Sequence, residues 1–335
     1  MAPDDDGRDD SRPVVVVLCP QDAQRPELAD LGTSMDVRYT DEAGLADAVS
    51  DAEVLFLWDF FSTAVQRVWS RAASLQWIHV AAAGVDKLLF DELVTSPVTV
   101  TNARGVFDRP MAEFVLMSIL AHAKQAGASQ DLQRAHRWLH RDTATVQGAR
   151  ALVVGTGAIG RETARLLAAV GMEVRGAGRT ARAGDPDFGD VIASSDLAAH
   201  AGWADYLVVA APLTSQTRGM IDAEVLHAMK PTGYLVNVGR GESVREPDLL
   251  EALGSGEIAG AALDVFATEP LPQDHPLWDA PGVRISAHMS GDAEGWHGAL
   301  SRQFVDNAHR YLEGRPLLNV VDKRLGFVPA DRASA

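Results

Sequence analysis

Short runs of consecutive apolar residues recur along the chain, separated by stretches of helical periodicity. Val14–Leu18, Asp36–Tyr39, Val54–Trp58, Trp77–Val80 and Val98–Thr101 predict a first series of strands, with Asp41–Ser50 and Ser62–Ala72 helical between them. Ala151–Val154, Val174–Ala177, Tyr206–Ala211, Tyr234–Val238, Ala261–Phe266 and Val283–Ala287 predict a second series of six, with helices at Arg161–Val170 and Ala223–Met229. Several of these runs are continuous rather than alternating, as suits strands buried on both faces, and strands alternating with helices imply parallel sheets. Between the two series, Arg109–Gln125 carries Met111, Phe114, Val115, Met117 and Ile119 on a broad apolar face, and a more polar helix is expected over Gln130–Leu139. The segment Thr180–Gly189 reads as a loop, and Gly291–Arg315 as a helix with too little chain left to fold alone. Asp86 reads as a helix cap.

The stretch from Ala151 to Thr180 organises the second series. A strand is followed by Gly155, Gly157 and Gly160 in G-x-G-x-x-G spacing, with Ala158 and Ile159 between them, and then by a helix and another strand. Such glycines allow a tight turn, close approach of a pyrophosphate to the backbone, and close helix–strand packing, while the helix start offers unpaired N–H groups. Dinucleotide binding follows. NAD sites place Asp or Glu about 20 residues on, to accept the ribose 2′-hydroxyl. Here Gly178 is followed by Arg179, Thr180 and, nearby, Arg182, so no carboxylate repels a 2′-phosphate and two guanidiniums can hold one. NADP(H) is the expected cofactor, with NAD(H) the other candidate. The fold class is α/β, two Rossmann-like domains of which the first is flavodoxin-like. Residues 13–102 with 291–335 form a discontinuous substrate domain, 103–290 the inserted dinucleotide-binding domain, and 1–12 a disordered acidic tail.

Charge narrows the partners. A net charge of −16 over 335 residues argues against nucleic acid and anionic membranes. A small anionic substrate must therefore meet local positive charge. The single cysteine, Cys19, forms no internal disulfide and reads as a small buried hydrophobe, and no Cys/His spacing suggests a metal site. The N-terminus lacks the apolar core of a signal peptide and no run reaches membrane-spanning length, so a cytoplasmic location is expected.

Ligands of open α/β sheets gather beyond the carboxyl ends of the strands. Arg240, Glu269 and His288 stand at three such ends. Hydride transfer to a 2-keto acid needs a cation for the carboxylate and carbonyl, and an acid that titrates near neutrality. A histidine beside a carboxylate supplies the second. Taken singly, each residue also has an ordinary structural reading.

AAAGVDKL (Ala81–Leu88), GVFDRPMAEF (Gly105–Phe114), GTGAIG (Gly155–Gly160), APLTSQTRGMI, YLVNVGRG, AALDVFATEPLP and HMSG together resemble the D-isomer-specific 2-hydroxyacid dehydrogenase family, from Val14 to Asn319. The resemblance implies that Arg240 binds the substrate carboxylate and carbonyl oxygen, that Glu269 tunes His288, and that His288 is the general acid and base. It further implies substrate contacts from the backbone around Ala83 and Gly84. Asp264 would reach the nicotinamide, with Val238 and Gly239 beside it, and Pro212, Leu213 and Thr217 would run along the cofactor. The Gly-Arg-Thr sequence resembles NADPH-preferring glyoxylate/hydroxypyruvate reductases, and relatives of this kind form homodimers. Two departures stand out: Ala287 replaces the proline usual before the histidine, and Trp58–Phe61 differs from the glycine-containing loop common near the substrate. Trp58 is either core or pocket wall. A phosphite-type dehydrogenase and a nucleotide-sensing, corepressor-like binding protein without turnover are the competing readings.

Overall fold

The computed structural model describes residues 12–329, so the expected acidic tail lies, apart from Arg12, outside the described residues. The chain divides into two compact units, the first comprising the chain through Ala103 and again from Gly295, the second Arg104–Glu294.

The first unit holds β1 (Val14–Leu18), β2 (Asp36–Thr40), β3 (Val54–Leu57), β4 (Trp77–Val80) and β5 (Thr99–Asn102). All pair in parallel in the order β2-β1-β3-β4-β5, a flavodoxin-like arrangement. Its helices are short: α1 (Leu45–Ala48), α2 (Ala64–Val68) and α3 (Asp91–Thr95). One sheet face carries Val16, Leu18, Leu55, Leu57, Ile78 and Val80. Alternate residues present Phe56, Trp77 and His79 to the opposite face, as the two-residue period of a strand requires. There Phe304, from the helix Trp296–Leu312, stacks on Phe56 at 4.0 Å and on Trp77 at 5.2 Å. Trp58 is buried and its indole N–H donates to the Gln24 carbonyl at 2.8 Å, so it belongs to the core. Cys19 is likewise buried. Asp86 opens a turn rather than a helix, because the next helix starts only at Asp91 with Phe90 as its cap.

The second unit begins with α4 (Asp108–Ala123) and α5 (Ala126–Arg134), followed by β6 (Arg150–Val154), α6 (Ala158–Ala169) and β7 (Glu173–Gly178). Then come β8 (Arg182–Asp185), β9 (Gly189–Ala193), α7 (Leu197–Ala201), β10 (Tyr206–Val209), α8 (Ala223–Ala228), β11 (Tyr234–Asn237), α9 (Glu246–Ser255), β12 (Gly260–Leu263) and β13 (Val283–Ile285). The sheet order is β13-β12-β11-β10-β6-β7-β9-β8, parallel except for the β8–β9 pair at one edge. Gly160, Thr163, Ala164 and Leu167 recur at helical spacing on the buried face of α6, which shares a core with Val115 and Ile119 of α4 and with Val153 and Val208 of the sheet. The opposite sheet face is covered by a core of Leu152, Leu207, Val225, Leu249 and Leu263.

Three expectations are corrected here. The segment Thr180–Gly189 is not a loop but most of a β-hairpin, and the sheet has eight strands instead of six. That hairpin lacks the apolar run that marks a strand and is fastened by ion pairs. The helix expected over Gln130–Leu139 runs instead over Ala126–Arg134, leaving Trp138 and Leu139 exposed in non-helical chain. Met117 does not join the buried face of α4, being half exposed, and that face is built by Ala112, Val115, Ser118, Ile119 and Ala123.

Candidate active site

The glycine turn lies between β6 and α6, beside β10, where the strand order of the second unit reverses. Gly155 has φ 106°, and a Cβ there would meet the Ala210 carbonyl and the Ala211 nitrogen at 2.7 Å. A Cβ on Gly160 would lie 1.8 Å from the Gly155 oxygen. These two glycines are demanded by the protein itself. Around Gly157 the case is different, because an added Cβ would find no protein atom within 4 Å. No side chain caps α6, so the first-turn N–H groups, Ala158 and Ile159 included, face that space without a side-chain acceptor. An open cradle at an uncapped helix start fits the pyrophosphate of a dinucleotide.

Past the end of β7 stand Arg179 and Thr180, both exposed. Arg182 does not stand clear of carboxylates, as its sequence neighbourhood suggested. Its Nε and Nη2 donate to Asp185 Oδ2 at 2.9 and 2.8 Å. The acid missing from the end of β7 thus reaches Arg182 from the end of β8. Asp185 also receives both Nη atoms of Arg161 at 2.9 Å. Ion pairs continue from Arg161 to Asp187, Arg165, Glu162, Arg109 and Glu113 in alternating sign, tying the hairpin to α6 and α4. Burial opposes ionisation of Asp185 most strongly, yet Arg161, Arg182 and the Asp187 N–H outweigh it and hold this carboxyl far below the usual range.

At the other side of the reversal, three strand ends carry the ionisable set. Asn237, almost fully buried, shapes the turn bearing Arg240: its Oδ1 accepts from Gly239 N and its Nδ2 donates to the Arg240 carbonyl. Val238 and Gly239 form the floor of this turn, and a Cβ on Gly239 would lie 2.8 Å from the Ala211 oxygen. Glu269 Oε1 accepts from Phe266 N at 2.9 Å and Oε2 meets His288 Nδ1 at 2.7 Å. Burial pushes the Glu269 carboxyl up, but His288, the Phe266 N–H and the Arg240 charge together bring it below the ordinary carboxylate range. An ionised carboxylate only accepts, so Nδ1 of His288 carries the hydrogen and a second proton is gained or lost at Nε2.

His288 has φ 51°, a left-handed conformation uncommon for a side chain of its kind. Asp264 holds it there. This fully buried residue accepts the His288 N–H on its backbone oxygen at 2.8 Å. Its carboxylate accepts from Ser286 Oγ at 2.5 Å, Met289 N at 3.0 Å and Ser290 N at 2.9 Å. The clamp needs no proline at 287. Sequence reasoning named Asp264 for another purpose and missed Asn237, whose partners are local but form no recognisable motif, and Ser286, whose partner lies 22 residues away.

The other expected residues fall as follows. Thr217 ties its own loop, its hydroxyl donating to the Pro212 carbonyl at 2.6 Å and accepting from Thr214 N at 2.8 Å, with Leu213 inside the loop. Ala83 and Gly84 belong to the first unit, after β4, where Asn102 Nδ2 donates to the Ala83 carbonyl. Among the described residues no cluster of His, Cys, Asp and Glu suits a metal, and no helix is long and apolar enough to cross a membrane.

Comparison with known proteins identifies the lineage. Residues 116–290 match the family model of the D-isomer specific 2-hydroxyacid dehydrogenase, NAD binding domain. Glyoxylate/hydroxypyruvate reductase A of Serratia proteamaculans is 32% identical over 76% of this chain and 82% of that protein. A family protein from Klebsiella pneumoniae superposes with a TM-score of 0.79 at 32% identity, over 94% of this chain and 98% of that one. An NADPH-dependent glyoxylate/hydroxypyruvate reductase from Sinorhizobium meliloti, solved in complex with NADP and sulfate, gives 0.79 at 28% identity over 95% and 100%.

Proposed function

Because the chain belongs to the D-isomer-specific 2-hydroxyacid dehydrogenase family and is an NAD(P)-dependent dehydrogenase, we propose that it is an NADPH-preferring reductase of small 2-keto acids of the glyoxylate or hydroxypyruvate kind. The observation that carries the chemistry is the 2.7 Å contact of His288 with a Glu269 that is itself anchored by a backbone N–H. Arg179 and Thr180 beyond β7 support the choice of NADPH, as does the likeness to an NADPH-dependent reductase, while Arg182 would have to share its guanidinium between Asp185 and the 2′-phosphate.

In this reading Arg240 grips the carboxylate and polarises the carbonyl of the substrate. The bound nicotinamide supplies the hydride. His288 donates the Nε2 proton to the oxygen that becomes the hydroxyl, and Glu269 stays ionised to stabilise the imidazolium and to fix its orientation. In the oxidative direction His288 accepts that proton. Asp264 keeps the imidazole at the strand end throughout.

The test measures NADPH and NADH oxidation against a panel of 2-keto acids, in the wild type and in His288→Asn, which tolerates the left-handed backbone. Turnover favouring NADPH, falling about 10²–10⁴-fold in the variant, is the expected outcome. NADH preference would refute the cofactor assignment. Tight nucleotide binding with no turnover of any 2-keto acid would refute the reductase reading in favour of phosphite oxidation or a nucleotide sensor.

A further inference from the structure

Two successive backbone N–H groups beneath the candidate acid–base pair are each held by a glutamate. Phe266 N donates to Glu269 Oε1 at 2.9 Å, and Ala267 N donates to Glu246 Oε1 at 2.8 Å. Each glutamate turns its second oxygen toward a histidine: Glu269 to His288 at 2.7 Å, Glu246 to His275 Nε2 at 3.5 Å. His275 Nδ1 accepts from Leu277 N, which places its hydrogen on Nε2, toward Glu246. The second pair thus repeats the first on the next amide of the chain.

The Phe266–Ala267 peptide also touches the turn that carries Arg240. A Cβ on Gly241 would fall 1.8 Å from the Phe266 carbonyl carbon and 2.3 Å from the Ala267 nitrogen. The Val265–Phe266 plane therefore donates to Glu269, while the adjoining Phe266–Ala267 plane, joined to it at the Phe266 Cα, meets the Arg240 turn and donates to Glu246. Glu246 reaches it from the first position of α9, a helix anchored in the core by Leu249, Ala252 and Leu253. The loop after β12 is held in the same core as far as Phe266, and at Ala267, which is exposed, the Glu246 carboxylate on a buried helix takes over as its anchor.

We propose that Glu246, oriented by His275, is a positioning residue of the reaction: through the Phe266–Ala267 peptide it sets where Glu269 holds His288. This rests on the reading of His288 and Glu269 as the acid–base pair. Removing Glu246 frees the loop, and misplacement by about 1 Å of a group that positions reactants costs on the order of 10²-fold in rate.

The experiment compares Glu246→Ala, Glu246→Gln and Glu246→Asp with the wild type. Glu246→Ala is expected to lower kcat for 2-keto acid reduction about 10–100-fold, with NADPH Kd changed less than about twofold. The alkaline limb of its kcat profile moves to lower pH, because a loosened Glu269 supports the imidazolium less. Glu246→Gln keeps an oxygen for Ala267 N and restores most of kcat. Glu246→Asp withdraws the acceptor while keeping the charge, and behaves as Glu246→Ala should if that variant fails to fold. A second readout follows the His288 imidazole titration by NMR: it is displaced in Glu246→Ala and restored in Glu246→Gln, whether or not keto acids are turned over. Wild-type kcat, pH limb and imidazole titration in Glu246→Ala, with only its Tm lowered, would overturn the inference. Absence of keto acid turnover in the wild type would instead count against the proposed reaction, with the NMR arm still deciding the role of Glu246.

Discussion

Lowering the pH should destabilise the first unit through His79. This side chain is fully buried on β4, ringed by Phe56, Trp77 and Phe304 at centroid distances of 5.4, 6.1 and 5.6 Å. Nδ1 shares Thr101 Oγ1 at 2.7 Å, but Nε2 has no hydrogen-bond partner. Burial alone brings its pKa from 6.5 down to about 3. A histidine depressed in this way is neutral when folded and takes up a proton when unfolded. Its contribution is fully present above pH 6.5 and is lost as the pH falls toward 3. Between pH 7 and pH 5 the unfolded chain gains most of one proton and the folded chain almost none, which amounts to about 2 kcal/mol. His79→Leu removes the titrating group and keeps an apolar filling. Thermal unfolding of both proteins at pH 7 and pH 5 isolates the contribution, since every other group titrates in both. The wild type should lose about 4–8 °C more than the variant over this interval, taking a domain of 150–250 residues. Equal losses would show that His79 is hydrated or already protonated, and the argument from burial would be wrong.

Two further outcomes follow from the site. Glu269→Gln removes the charged acceptor of His288 Nδ1, so kcat/KM for reduction should fall about 10²-fold or more in steady-state assays; an unchanged rate would separate Glu269 from proton transfer. Gly160→Ala sets a methyl 1.8 Å from the Gly155 oxygen, forcing α6 off the turn, and should weaken NADPH and NADH binding alike in fluorescence titration by more than tenfold. Retained affinity would mean that the turn does not carry the pyrophosphate.

The sequence was informative where chemistry and periodicity coincide. Buried strands such as Val14–Leu18 and Tyr206–Val209 are continuous apolar runs, and the glycine spacing at 155, 157 and 160 states its own geometry. Arg240, Glu269 and His288 were legible because strand ends can be counted, and their roles remain proposals. The β8–β9 hairpin was not legible, since its own apolar anchors, Phe188 and Val191, are too few to form a run and the rest of its fastening comes from Arg161 and Arg165 of another element. Nor was the clamp at Asp264, whose carboxylate takes one hydroxyl and two backbone N–H donors from 22 to 26 residues away. Helix ends in the first unit were overestimated because polar positions near Asp41 and Ser62 fit a helical period without joining one.

The alternating charges around Asp185 bear on how cofactor choice can evolve. Arg182 shares its carboxylate with Arg161, and Arg161 shares a second one with Arg165. Exchanging Arg182 alone leaves Asp185 to a single guanidinium, and exchanging Asp185 alone leaves two cations facing each other. A lineage moving between the two nicotinamide cofactors through single substitutions must therefore cross states in which this hairpin is mispaired with its helix. Inheritance or grafting of the whole stretch from Arg179 to Gly189, together with Arg161 and Arg165, avoids those states. Under the proposed NADPH assignment, cofactor preference would be transferred by the segment and not by the residue.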